Sequence, residues 1–156
     1  MRKLVSLLTA SAAVAGAVAL GASAADNTRI SGSYSFVAHS ICVDPIRIAG
    51  SYDEMAHTFY DKAGNATRIA FTGKATVVYT DLTNGSTCSP NSSGPGTVDL
   101  ASGQSDLRGG NGTIFDSSGH LIATDGRLVL DAGGNVISIV GHQTDVCTEL
   151  GSSPAP

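Results

Sequence analysis

The chain has no tryptophan, only three cysteines and few basic residues, with nine Lys and Arg against thirteen Asp and Glu in 156 residues. This acidic balance disfavours binding to nucleic acid or to an anionic membrane surface, since both need clustered cations. Glutamate is scarce too, because only Glu54 and Glu149 accompany eleven aspartates. Aspartate favours turns, and 19 glycines accompany it. The composition therefore predicts strands joined by tight turns, with little helix.

Familiar catalytic and cofactor motifs are also missing. The sequence contains no G-x-S-x-G, H-E-x-x-H or C-x-x-C motif, no P-loop, no dinucleotide fingerprint and no EF-hand loop. These absences disfavour the familiar hydrolases and nucleotide enzymes. Calcium takes about six to eight oxygen ligands, whereas the Asp-x-x-Gly turns of this chain, described below, would each offer one carboxylate. We therefore predict no metal, no cofactor and no catalytic residue.

The one long apolar run stands at the start of the chain. Arg2 and Lys3 precede the apolar residues 4–20, and Ala-Ser-Ala at 22–24 provides a small-x-small cleavage site. This three-part pattern is typical of a secretory signal peptide. The run is short for a spanning helix and no second run follows it. We expect a signal peptide at 1–24 and a secreted protein, extracellular or in the cell envelope, without stable membrane insertion after cleavage; a retained N-terminal anchor is the alternative.

A turn of the form Asp-x-x-Gly, followed by Asn or His, occurs three times, at 61–64, 116–119 and 131–134, each time between apolar segments. The aspartate can accept hydrogen bonds from backbone amides ahead of it, and the glycine can adopt the left-handed conformation, so each turn is typical of a hairpin. The length allows one domain with a core. We predict this domain over 25–150, followed by a disordered tail at 151–156.

The segments between these turns predict an all-β fold. Residues 30–38 are a ninth strand candidate beside eight short strands, at about 46–52, 55–60, 66–73, 75–82, 96–101, 107–115, 120–130 and 136–142. Most connections have hairpin length, which suits a meander. We therefore expect an antiparallel up-and-down β-barrel of about eight strands, with a two-sheet β-sandwich as the alternative.

Three cysteines allow one disulfide and leave one thiol over. An exported chain meets an oxidising environment, which favours the bridge. Three pairings are possible, and sequence alone does not decide among them. Cys42 and Cys147 have apolar neighbours, whereas Cys88 lies in a polar loop, and this contrast favours Cys42 with Cys147. Cys88 would then be free, or would join two copies of the chain in a covalent dimer.

Four short segments resemble a group of small exported actinobacterial proteins that are β-barrel-like and mostly uncharacterised: Cys42-Val-Asp-Pro45, Asn91-Ser-Ser-Gly-Pro-Gly96, Gly126-Arg-Leu-Val129 and Asp145-Val-Cys147. The resemblance spans most of the chain after Cys42. It implies a bridge between Cys42 and Cys147 and makes Cys88 an addition in this chain. None of the four segments is catalytic, and the group brings no known activity.

All eight aromatic residues lie between Tyr34 and Phe115. Small antiparallel barrels can hold one small ligand, and aromatic rings offer large apolar contact areas. We therefore predict a ligand-binding surface at the mouth of the barrel, formed by Tyr52, His57, Phe59, Phe71 and Tyr79.

Binding of a small apolar or extracellular ligand, without catalysis, is the function that the sequence favours. One alternative is a barrel enzyme that guides cyclisation or coupling of a reactive intermediate. It would use His57 and a neighbouring acid, because strand alternation places His57 on the same face as Met55 and Phe59. The other alternative is a structural protein of the cell envelope.

Overall fold

The computed structural model describes residues 27–116 and 120–155. The predicted signal peptide therefore lies outside the described residues. The regular elements are the strands β1 (Asn27–Ala38), β2 (Ile46–Tyr60), β3 (Ala66–Asp81), β4 (Thr87–Cys88), β5 (Gly96–Asp99), β6 (Ser105–Phe115), β7 (Leu121–Leu130) and β8 (Val136–Asp145), and the short helix α1 (Val146–Glu149). Within the described part of the chain, no helix is long and apolar enough to cross a membrane.

The strands form one antiparallel sheet in the order β1-β2-β3-β5-β6-β7-β8, and β4 pairs with β3 beside this path. The prediction of an all-β, antiparallel fold with about eight strands in up-and-down order is confirmed. In the ranges that the structure describes, no hydrogen-bonded ladder joins β1 to β8. The sheet is therefore open, and this arrangement is compatible with both predicted architectures.

Two long strands, β2 and β3, take the place of the four short strands predicted between residues 46 and 82. The chain does not break at Asp53 because its carboxylate lies on the exposed face and accepts two hydrogen bonds from Arg29 of β1, at 2.7 and 2.6 Å. Strand β3 continues through Gly73, because β3 lies so close to β2 there that only glycine fits. A Cβ atom at Gly73 would lie 2.6 Å from the Cα atom of Glu54.

Two of the three Asp-x-x-Gly turns, at 61–64 and 131–134, close hairpins as predicted. In both, the aspartate accepts hydrogen bonds from the backbone amides two and four residues ahead, at 2.8 to 2.9 Å. Gly64 and Gly134 have φ angles of +86° and +79°, a left-handed conformation that glycine adopts without steric cost.

The third turn lies between β6 and β7. The backbone amide of Asp116 donates to the carbonyl of His120 at 3.0 Å, and the amide of His120 donates to the carboxylate of Asp116 at 2.9 Å. Residues 117–119 of this turn lie outside the described residues. The three strands predicted at 107–115, 120–130 and 136–142 are present as β6, β7 and β8, which pair in that order as an antiparallel meander.

A disulfide between Cys42 and Cys147 joins the segment after β1 to α1. The two Cα atoms are 5.5 Å apart and both residues are buried, so the predicted pairing is confirmed. The side chain of Asp145 begins α1 by accepting a hydrogen bond from the amide of Thr148 at 2.8 Å. The bridge therefore fixes the end of β8 beside the beginning of β2.

Residues 151–155, predicted as part of a disordered tail, are hydrogen-bonded to the segment around the bridge. The amide of Val43 donates to the carbonyl of Ser153 at 2.8 Å, and the amide of Ala155 donates to the carbonyl of Ile41 at 3.1 Å. Because the disulfide holds α1 next to this segment, the chain that follows α1 finds backbone partners there.

Most of the buried apolar side chains form two clusters. The first core cluster joins β2 and β3 to β7 and α1: Ile41, Cys42, Ile46, Ile48, Val77, Tyr79, Leu121, Ala123, Val146, Cys147 and Leu150. The second core cluster lies between β6 and β7: Leu107, Ile114, Ile122, Leu128 and Leu130. The sheet therefore curls so that side chains of β2 and β3 meet those of β7.

Candidate functional site

Strand alternation gives β2 an inner face and an outer face. Ile46 and Ile48 are buried in the first core cluster, and the side chains that follow at two-residue intervals, including Tyr52 and Glu54, continue this inner face. Arg47 and Asp53 lie on the outer, exposed face. Cross-strand partners share a face, so the register of β1 and β3 extends both faces across three strands.

A repeated tripeptide, Gly-Ser-Tyr at 32–34 and at 50–52, shapes the inner face. The antiparallel register pairs Gly32 with Tyr52 and Tyr34 with Gly50. Each ring therefore lies over the glycine of the other strand: a Cβ atom at Gly32 would lie 2.6 Å from the hydroxyl oxygen of Tyr52, and one at Gly50 would lie 2.5 Å from that of Tyr34. A side chain at either position would have to displace the ring that lies over the glycine.

These tyrosines form one wall of a cleft of about 300 Å³. The inner face of β1, β2 and β3 faces the end of β6 and the start of β7 across it. The apolar part of its lining includes Tyr34, Phe36, Ile48, Tyr52, Phe115 and Leu121. A concave, mainly apolar space with a few polar groups is typical of small-molecule sites.

Tyr79 ties the two sides of the cleft together. Its hydroxyl is hydrogen-bonded to the hydroxyl of Thr113 on β6. Thr113 reaches this position because the register of β6 against β7 shifts between Gly110 and Thr113. Burial raises the pKa of Tyr79 far above its usual value, so the hydroxyl stays protonated and serves as a structural contact.

Glu54 is the only Asp, Glu, Lys, Arg or His among the described residues that line the cleft. It is partly buried, and burial raises the pKa of its carboxyl. Among the described residues it has neither a salt bridge nor a side-chain hydrogen bond. Its neighbour Asp53 lies on the outer face, where the hydrogen bond from Arg29 lowers the pKa of the carboxyl.

The five residues predicted to bind a ligand separate into three places. Tyr52 and Tyr79 line the cleft. Phe71 packs against the second core cluster. His57 and Phe59 lie on the outer face with their rings edge to face at 4.6 Å, where the ring of His57 is hydrogen-bonded to the side chain of Asn27 at 2.8 Å.

The continuity of β2 explains this separation. Tyr52 has an even number and His57 and Phe59 have odd numbers, so one unbroken strand sends them to opposite faces. The prediction divided β2 into two strands, which allowed all three to share a face. Alternation did place Met55, His57 and Phe59 together, but on the outer face, where Met55 is 42% exposed.

Several residues of the cleft were not identified from the sequence: Tyr34, Phe36, Glu54, Thr113, Phe115 and Leu121. The repeated Gly-Ser-Tyr was the available signal. Paired antiparallel, its two copies place Tyr34 and Tyr52 side by side, and alternation then adds Phe36 and Glu54. Thr113 and Phe115 follow a shift in register, which strand alternation does not predict.

Cys88, the free cysteine, lies partly buried against the first core cluster. Burial, and to a smaller extent the charge of Glu149, raises the pKa of its thiol to about 11. At neutral pH the group is a thiol and not the reactive thiolate. No three His, Cys, Asp or Glu side chains in residues 27–116 and 120–155 lie together as metal ligands would.

No protein-family model, curated protein or solved structure matches this chain. The function is therefore argued from the geometry of the cleft.

Proposed function

We propose that this chain is an exported protein that binds a small, mainly apolar molecule in the cleft between β1–β3 and β6, without catalysis. The observation that carries the proposal is the set of aromatic side chains on its walls, Tyr34, Phe36, Tyr52 and Phe115. Burial of apolar ligand area against such rings provides affinity, and the volume of about 300 Å³ suits one small molecule.

Export is supported by two features of the chain. The N-terminal pattern of basic residues, apolar run and small-x-small site is typical of a signal peptide. The Cys42–Cys147 disulfide fits an oxidising compartment. We also propose membership of the small exported actinobacterial group that the sequence resembles, because that resemblance implied the same bridge.

The binding proposal can be tested with N-phenylnaphthylamine, an uncharged dye whose fluorescence increases in apolar surroundings. The purified protein should bind it at a single site. Tyr52→Ala should weaken binding about tenfold, because it removes one wall of the cleft. Ala75→Phe should also weaken binding by filling the cleft beside Tyr52.

Phe59→Ala is the matched control, since Phe59 is an aromatic residue of the same strand that lies on the outer face. Its affinity for the dye should equal that of the unmodified protein. Equal losses in Tyr52→Ala and Phe59→Ala would place the binding surface elsewhere. No binding at all would favour the structural cell-envelope alternative.

A further inference from the structure

This inference rests on the proposed function and concerns the chemistry of the ligand. We infer that the molecule bound in the cleft carries a protonated amine, or a comparable cationic group, beside its apolar part, and that Glu54 receives this group.

The charges of the cleft favour a cation. Among the described residues that line it, Glu54 is the only carboxylic acid, and none is a lysine, arginine or histidine. An anionic ligand would meet like charge without any counter-ion. A wholly apolar ligand would cover the carboxylate and leave it unpaired, which costs free energy.

The position of Glu54 also suits this role. It follows Tyr52 on the inner face and lies opposite Gly73 of β3. Its Cγ atom is 3.0 Å from the place that a Cβ atom of Gly73 would take, so the side chain lies over the space that the glycine leaves open. Aromatic ring faces attract cations, and Tyr34 and Tyr52 line the same cleft.

A second acceptor supports the same ligand chemistry. Asn111 lines the cleft, and its side-chain amide donates to the carbonyl of Gly126 at 3.3 Å. The carbonyl oxygen of that side chain is buried and accepts no hydrogen bond from the described residues. Partial burial also raises the pKa of Glu54, because it disfavours the charged carboxylate. A cation beside the carboxylate would offset this cost of burying the charge. The Glu54 carboxylate and the side-chain carbonyl of Asn111 both accept hydrogen bonds, so a ligand with hydrogen-bond donors suits the lining.

Three alkyl probes of one length separate the ligand classes: decylamine, decanol and decanoate, each used at pH 7 to displace N-phenylnaphthylamine. We expect decylamine to bind about tenfold more tightly than decanol, and decanoate to bind most weakly. In Glu54→Gln the preference for decylamine over decanol should disappear, because decylamine loses its counter-ion and decanol no longer covers an unpaired carboxylate. Glu54→Lys should reverse the order of decylamine and decanoate.

Asp53→Asn is the matched control, because it removes the adjacent carboxylate from the outer face. The ratio of decylamine to decanol affinity should not change in this variant, and a change equal to that in Glu54→Gln would attribute the preference to the net negative charge of the chain. Equal binding of all three probes, or tightest binding of decanoate, would overturn the inference and leave the proposed function intact. Failure of every probe and of the dye would overturn the proposed function itself.

Discussion

Asp53 and Glu54 are adjacent carboxyl groups in very different surroundings, because a β-strand sends successive side chains to opposite faces. Asp53 is exposed beside Arg29, which lowers the pKa of the carboxyl. Glu54 has no counter-ion in the described part of the chain and is partly buried, and this burial raises the pKa of its carboxyl. Compared with the unfolded chain, the folded state therefore favours the charged form of Asp53 and disfavours the charged form of Glu54.

These directions predict opposite effects on stability. A raised pKa means that ionised Glu54 destabilises the fold above that pKa, and that this cost disappears as the pH falls below the unfolded value. Glu54→Gln should therefore increase the free energy of unfolding at pH 7 and leave it nearly unchanged at pH 3. Asp53→Asn should decrease it at pH 7. Urea denaturation at both pH values checks this, and a loss of stability in Glu54→Gln at pH 7 would contradict it.

Cys88 provides a second prediction at the scale of the residue. With its thiol pKa raised to about 11, the folded protein should react with a disulfide reagent at pH 7.5 much more slowly than the protein in urea. The covalent dimer predicted through Cys88 would accordingly form slowly. Reaction at equal rates in the folded and urea-unfolded states would show that the thiol is not buried and that its pKa is not raised. Cys88→Ser is the control for any reaction of the bridged cysteines.

At the scale of the element, the two Gly-Ser-Tyr segments make the β1–β2 ladder unusual. Each glycine accepts the ring of the opposite tyrosine, but only Gly50 also lies close to backbone of a third strand. A Cβ atom there would lie 2.8 Å from the carbonyl oxygen of Thr76, whereas the nearest atoms to a Cβ at Gly32 belong to the side chain of Tyr52. A side chain can move aside, and a paired backbone cannot.

We therefore predict different consequences for two identical substitutions. Gly50→Ala should reduce the free energy of unfolding by about 1–3 kcal/mol, as overpacking against fixed backbone does. Gly32→Ala should cost less stability but displace the ring of Tyr52 and weaken binding of N-phenylnaphthylamine. Urea denaturation and dye titration of both variants give the comparison. Equal stability losses with unchanged binding would contradict the packing described for the two rings.

Some of these elements could be predicted from the sequence alone, and others could not. The all-β class and the hairpin turns at Asp61 and Asp131 follow from local chemistry and were predictable. The sequence allowed three cysteine pairings, and Cys42–Cys147 was favoured by the apolar neighbours of the two residues and implied by the resemblance. The continuity of β2 was not, because Asp53 and Glu54 read locally as turn residues and only Arg29 of β1 and Gly73 of β3 explain why they stay in a strand. Because β2 is one continuous strand and not two, Tyr52 and His57 lie on opposite faces of the sheet.

For the molecule as a whole, the disulfide is the strongest single constraint outside the sheet. Its cysteines are 105 residues apart in sequence, and a bridge closing such a long loop contributes on the order of 5 kcal/mol in the chain-entropy model. Replacing Cys42 and Cys147 together by serine should lower the free energy of unfolding by roughly this amount. Cys88→Ser should change it by less than about 1 kcal/mol, and equal losses would contradict the structural role of the bridge.

The same bridge has a consequence for what a protease can do to the chain. Any single cut by a protease between Cys42 and Cys147, for example in the exposed loop after β3, leaves two pieces that are still one covalent molecule. The sheet would hold those pieces in register while the bond prevents them from diffusing apart. A nicked molecule would thus keep its full mass on a non-reducing gel and separate into fragments only in the presence of a reductant.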